Sequence, residues 1–412
     1  MAHIKPFSAL RPPKKIAAQV ASRPYDVLSV PEAIQEAENN PYSFLQVTRS
    51  EIDLPEGTDV HSPEVYEKAA ANLKNMIAGG TLQQEEKPCY YIYRLIMNGR
   101  SQTGLVCLSS VEDYENGLIK KHEFTRPEKE KDRIDHMLAI GAQTGNVFLA
   151  CADEPGLTTF LKEYSEAQPE YDFTATDGIQ HTVWVVNEDD HIHKLTVLFD
   201  TMIPATYIAD GHHRAASAAK VAAALKENEQ AQWFLTTIFP ASELAILDYN
   251  RLIKDLNGHS EEEFLSLVSK DFEISPSGPQ NPVSKAVKPA ALHEFGMYLN
   301  NKWYKLSAKP GTWTDDPLGV LDINILQNKL LDPVLGIKDQ RSDPRIDFVG
   351  GIRGMEALEK RVNSGEMKLA FSLYPVSIQQ LFDIADSGNV MPPKSTWFEP
   401  KLRDGLLTHK FA

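Results

Sequence analysis

What the chain lacks narrows its class first. It carries three cysteines in 412 residues, Cys89, Cys107 and Cys151, with no Cys-x-x-Cys pair. Neither a disulfide framework nor a thiolate zinc site can be built on that spacing, so all three read as core thiols in a reducing compartment. No run of about 18 apolar residues occurs, and the opening MAHIKPFSALRPPKK has no apolar stretch of the signal-peptide type. A cytoplasmic protein without membrane contact is expected. Gly-x-x-x-x-Gly-Lys, Gly-x-Ser-x-Gly and Gly-x-Gly-x-x-Gly are all missing, which removes P-loop nucleotidases, α/β-hydrolases and dinucleotide enzymes. Basic charge is scarce as well: 42 Lys and Arg stand against 57 Asp and Glu, a formal net charge of −15. Coating nucleic acid or an anionic bilayer needs the opposite balance, so nucleic acid is not an expected partner.

What is present fits a mixed α/β (α+β) protein. The length exceeds what one core fills, and a change of texture near residue 240 suggests two domains, 1–240 and 241–412. Pro-marked turns with a brief helix over 31–38 lead into a Ser62-capped helix that stops at Gly79-Gly80. Strands over 89–97 and 102–109 flank Asn98-Gly99, a hairpin signal. Thr125 and Glu128 stand in capping-box spacing, predicting a helix over 126–140. Further strands are expected at 146–150, 181–186 and 194–199. After the boundary, the pattern predicts a strand in ELAILDYNRLI, a helix over 260–269, a Pro- and Ser-rich loop over 275–290, a hairpin over 293–308 and a helix ending at Pro333.

Titratable groups concentrate at one place. YIADGHHRAASAAKVAAALKE, residues 207–227, runs from a short apolar strand through Asp210, Gly211, His212, His213 and Arg214 into an alanine-rich helix. A helix N-terminus offers free N–H donors and a partial positive charge, and the Arg214 fork matches phosphate. Asp210 can hold a Mg²⁺ that bridges phosphate oxygens. Two other stretches invite the same chemistry. KKHEFTRPEKEKDR places His122 and Glu123, a base or metal ligand, before a second helix start, with Arg126 and Arg133 following. MPPKSTWFEPK offers Lys394, Ser395, Thr396 and Lys401 as a phosphate or carboxylate clamp. Glu128–Lys131 reads as a solvated helix face, FVGGIRG as a plain turn, and His191 with His193 as one face of a solvent-facing hairpin.

Seven ordered motifs, RPYDVLS, NPYSFLQVTR, KKHEFTRPEKEKDR, ATYIADGHHRAASA, ILDYNRLIKDL, IDFVGGI and MPPKSTWFEPKLRDGL, identify the chain as a member of the domain of unknown function ten-fifteen family. The order strand, Asp-Gly-His-x-Arg, helix also resembles the ParB/sulfiredoxin-like fold, and within it the free-serine kinases that make O-phosphoserine with a nucleotide and Mg²⁺. Asp210, Gly211, His212 and Arg214 match that motif. The resemblance implies a ParB/sulfiredoxin-like N-terminal core elaborated by a second mixed α/β region, with ATP or ADP and Mg²⁺ as cofactors. It also implies a carboxylate base toward the serine hydroxyl, for which Asp26, Glu32 and Glu123 are the candidates. The expected partners are a small-molecule substrate and a nucleotide; the oligomeric state is left open. The expected activity is phosphoryl transfer to or from serine or a similar hydroxyl metabolite. A second reading is a ParB-like nucleotide sensor without turnover.

Overall fold

The protein is described by a computed structural model covering residues 1–276 and 285–412. The part of the expected 275–290 loop that spans 277–284 lies outside the described residues. The chain divides into two compact units: Met1–Leu244 together with Pro400–Ala412, and Ala245–Glu399.

In the first unit, the aromatic and β-branched run Tyr90–Met97 pairs with Arg100–Ser110 across Asn98 and Gly99, both at positive φ (52° and 78°), as an Asn-Gly hairpin requires. Around this hairpin a mixed sheet is laid in the order Ile119–Lys120, Thr206–Asp210, Val147–Cys151, Trp233–Pro240, Arg100–Ser110, Tyr90–Met97, Gln180–Val186, Tyr171–Thr174, with Ile4–Lys5 joining the far end of Arg100–Ser110. Thr206–Asp210 runs parallel to Ile119–Lys120 and antiparallel to Val147–Cys151. The core beneath combines Ile92, Leu105, Leu149, Ile208 and Ile238 with Leu195 and Phe199 of the helix Asp189–Met202 and Ala215, Ala218 and Ala222 of the helix His212–Ala224. Each fully buried Leu, Ile or Phe stabilises by about 1.5–3 kcal/mol, whereas the alanines contribute by letting their helix lie close to the sheet. All three cysteines are free and buried, as core thiols.

Several local expectations are corrected. The stretch 194–199 is helical, within Asp189–Met202: its buried Leu195 and Phe199 are four residues apart, a helical spacing that outweighs β-branched content. His191 and His193 therefore stand on that helix and not on a strand. Thr125 is not the cap of Pro127–Ile140; Arg126 holds that position, and no side chain bonds the helix end. Glu130 is buried and paired with Lys220, so 128–131 is only partly a solvated face. The segment 400–412, expected in the second region, is sewn into the first unit. Backbone bridges join Ser22 to Asp404 and Leu10 to Thr408, and Ala142–Gln143 pairs with His409–Lys410.

The second unit is an antiparallel six-stranded sheet in the order Phe272–Pro276, Lys302–Ala308, Glu294–Leu299, Leu369–Leu373, Tyr249–Ile253, Ile346–Gly350. Leu252, Tyr298, Trp303, Val349 and Leu358 pack its core. Asn300 and Asn301, both at positive φ (50° and 60°), turn its hairpin. The expected helix before Pro333 is Asp322–Leu326 followed by a wider turn, Gln327–Leu331. No helix among the described residues is long and apolar enough to cross a membrane.

Candidate functional site

The corner strand Thr206–Asp210 pairs with Val147–Cys151 through a register shift between Ile208 and Asp210, and such a bulge re-aims the side chain that follows it. Asp210 thus ends the strand half-buried at the point where the chain turns. Gly211 makes the turn at φ 96° and caps the helix His212–Ala224 with no side-chain bond; that helix has no acidic residue in its first turn. Its leading N–H groups are left to a ligand or to solvent.

Arg214 folds back over the turn. Its guanidinium donates to the Asn146 carbonyl and, at 3.2 Å, to Asp210 Oδ2, and it lies 3.9 Å from Asp26 Oδ2. The side chain is 11% exposed. Two glycines make room for it: a Cβ on Gly211 would lie 3.1 Å from Arg214 Cζ, and one on Gly145 would lie 3.1 Å from its Cδ. Gly211→Ala is expected to cost about 1–3 kcal/mol, the left-handed backbone accounting for about 1–2 of it. Urea unfolding should show a lower midpoint at unchanged slope; a midpoint within error of the parent would contradict the requirement for glycine.

Lys401 reaches the same carboxylate from the C-terminal segment, donating to Asp210 Oδ2 at 3.1 Å. What positions it is a buried network two residues on. Arg403 Nε donates to His181 Nε2 at 3.2 Å, Tyr93 Oη meets His181 Nδ1 at 2.8 Å, and the Arg403 guanidinium pairs with Asp177. Burial lowers the His181 pKa to about 3, so a neutral ring accepts from Arg403. Burial of Asp210 works to raise its pKa, but Lys401 and then Arg214 outweigh it and hold the carboxyl well below the usual range.

Two imidazoles lie under the turn. His122 and His212 are buried with rings 4.5 Å apart, edge to face at 89°. Burial, then the neighbouring His122, keeps the His212 pKa well below its ordinary value, and burial brings His122 down to about 4. The His122 amide donates to His212 Nε2 at 3.4 Å, which leaves the ring proton on Nδ1, 3.8 Å from Glu123 Oε2. His213 accepts from the Arg126 amide through Nε2 at 3.0 Å, and burial lowers its pKa too.

Asp210, Gly211, His212, His213, Arg214, His122, Glu123, Asp26, Lys401 and the Arg126 amide are therefore brought together. Arg133 stands nearby, stacked 3.8 Å over the Tyr25 ring and paired with Asp132 at 2.6 Å. Glu32 is engaged elsewhere: its carboxylate accepts from the Ser29 amide and hydroxyl at 2.8 and 2.7 Å, capping the helix Val30–Ala37. Lys394, Ser395 and Thr396 belong to the second unit, where Lys394 Nζ lies 5.7 Å from the Tyr249 ring centre and Ser395 Oγ donates to the Pro392 carbonyl at 2.5 Å. Lys401 is in the first unit.

One acid was missed by sequence reasoning. Asp404 is buried, with Oδ2 lacking a hydrogen bond. Burial raises its pKa to about 8, with Arg214 opposing and Asp26 adding. The only hint was its place in the tail motif, where Asp-Gly reads as a turn. Behind Arg214 a cavity of about 30 Å³ is lined by Tyr25, Arg133, His136, Thr144 and Gly145. That is room for about one water, far below the roughly 300 Å³ a metabolite needs.

Asp210 is the residue expected to hold Mg²⁺, together with phosphate oxygens. Its Oδ2 already serves two cations, and among the described residues no group of three or more His, Cys, Asp or Glu is arranged to hold a metal ion. Arg214 and Lys401 both donate to this carboxylate.

No curated protein matches the chain. Among solved structures, a free serine kinase in complex with AMP is similar at TM-score 0.35 and 13% identity, covering 73% of this chain and 91% of its own. SbnI with C-terminal truncation, from Staphylococcus aureus, is similar at TM-score 0.38 and 9% identity, covering 73% and 86%. A conserved hypothetical protein from Pyrococcus furiosus gives TM-score 0.33 and 13% identity over 73% and 93%. The model of a family described as protein of unknown function, DUF1015, matches residues 4–324, and the chain belongs to that family.

Proposed function

We propose that the corner binds the phosphates of ATP or ADP and moves a phosphoryl group between the nucleotide and the hydroxyl of a small metabolite, free serine in the first instance. The observation that carries this reading is the convergence of Arg214 and Lys401 on one carboxylate in front of an uncapped helix N-terminus. Two cations beside a helix N-terminus that no side chain caps offer donors that suit an incoming phosphate. The choice of serine rests on the Asp-Gly-His-x-Arg match, as does the placing of the first unit with ParB/sulfiredoxin-like proteins.

In the forward direction, the hydroxyl oxygen forms the new bond to phosphorus as the bond to the nucleotide's bridging oxygen breaks. The hydroxyl proton passes to a carboxylate, and Glu123 is best placed because it faces the neutral His212. Asp26, 3.9 Å from Arg214, is the other candidate. Lys401 can exchange Asp210 for the phosphate, neutralising the leaving group, while Arg214 stays anchored to the Asn146 carbonyl. Such catalysis is mostly positioning and electrostatics. The reverse direction, from O-phosphoserine to nucleotide or water, uses the same contacts.

Pure protein should be incubated with Mg²⁺, serine and ATP or ADP, and separately with O-phosphoserine with and without ADP, with products read by mass spectrometry. Formation or loss of O-phosphoserine is the expected result. Silence in every mixture, with no change in melting temperature on adding nucleotide, removes the proposal. One observation favours a second reading, nucleotide sensing without turnover: the Asp210 carboxylate is already neutralised by Lys401 and Arg214. That reading wins if nucleotide raises the melting temperature while no product forms. A ligand at about a hundred times its Kd adds roughly 2.7 kcal/mol, a readily measured shift.

A further inference from the structure

The loop carrying His122 and Glu123 is tied to the corner helix at both ends. The His122 amide donates to His212 Nε2 at 3.4 Å, and the Arg126 amide donates to His213 Nε2 at 3.0 Å. Between the two ties stands Phe124, 72% exposed, the most exposed of the large hydrophobic side chains among the described residues. A loop held this closely could have turned its one aromatic ring into the core. Instead the ring is kept in water at the rim of an anion-favouring helix end. Its backbone is within two residues, about 7.6 Å of chain, of the Arg126 amide that meets His213.

We infer that Phe124 is a stacking platform for the nucleobase of the nucleotide whose phosphates meet Arg214, Lys401 and the first turn of the corner helix. The inference rests on the nucleotide reading above and deepens it by naming what holds the base. An aromatic face accepts any base, and its loss by alanine substitution typically costs about 1–3 kcal/mol per base. The phosphates are held by charge and backbone donors, the base by a hydrophobic plane, so the two contributions separate in experiment.

The test compares ADP with inorganic pyrophosphate, which carries the same phosphates and no base, by calorimetry on the full chain and on Phe124→Ala and Phe124→Trp. Phe124→Ala should weaken ADP about 10- to 100-fold, leave pyrophosphate affinity unchanged, and remove most of the advantage of ADP over pyrophosphate. Phe124→Trp should retain it. Equal weakening of both ligands would assign Phe124 a structural role and overturn the inference, as would ADP affinity unchanged by Phe124→Ala; nucleotide binding itself survives both results. If the parent protein binds pyrophosphate but gains nothing from the base, the platform is refuted and the phosphate seat stands. If it binds neither, both proposals fall.

Discussion

Arg214→Met should cost the first unit about 3–5 kcal/mol, the range seen when one partner of a buried charge pair is removed. Methionine fills much of the same space, so the loss is electrostatic. The Asn146 carbonyl loses its donor, Asp210 keeps Lys401, and Asp26 and Asp404 lose one of the two cations they both face, Arg133 being the other. At about 2–4 °C per kcal/mol for a unit of this size, the melting temperature should fall by roughly 6–20 °C. Pairing the change with Asp210→Asn supplies a control. Because the two side chains touch, the double variant should lose less than the sum of the singles by about 0.5–3 kcal/mol. Strict additivity would mean that the ion pair at 3.2 Å contributes nothing to the fold. Nucleotide and pyrophosphate affinity should fall with Arg214→Met in either background.

Asp404 should make stability fall as pH rises. Its folded pKa, about 8 through burial, exceeds the ordinary Asp value of about 3.9. Between roughly pH 4 and 8 the native state therefore holds a proton that the unfolded chain has released, and stability drops across that window before levelling above it. Four pKa units correspond to at most about 5–6 kcal/mol. Buried histidines titrate with the opposite sign. His122, His136 and His409, each lowered to about 4 by burial, stay neutral when folded, so stability is lost as pH falls from about 6.5 toward 4. Asp322 of the second unit, raised to about 7 by burial, shares the sign of Asp404. The difference between Asp404→Asn and the parent isolates the one group. That difference should increase in favour of the variant from about pH 4 to pH 8 and then stay constant; a flat difference would show that Asp404 is not held protonated.

Much of this site was legible in the sequence because its signals are local. The apolar run before Asp210, Gly211 at the turn and the alanine-rich helix are read from neighbours, and each folds as read. His122 and Glu123 were legible through the helix start at Pro127, although Thr125 was given a capping role it does not fill. What escaped depends on long-range pairing. Residues 400–412 carry no strong pattern of their own, and only pairing with Ser22, Leu10 and Gln143 brings them into the first unit. That pairing puts Lys401 on Asp210 and buries Asp404. Lys394 and Lys401, close in sequence, fall in different compact units. The helix Asp189–Met202 was mistaken in part for a strand because six residues were weighed without the acidic first turn before them.

The most direct test of the account is a crystal structure of the protein with ADP. It should show phosphate oxygens within hydrogen-bond reach of Lys401 Nζ and the leading amides of His212–Ala224, with the Lys401–Asp210 bond lengthened or exchanged. ADP seated elsewhere, with Lys401 still on Asp210 and the helix end untouched, would contradict it.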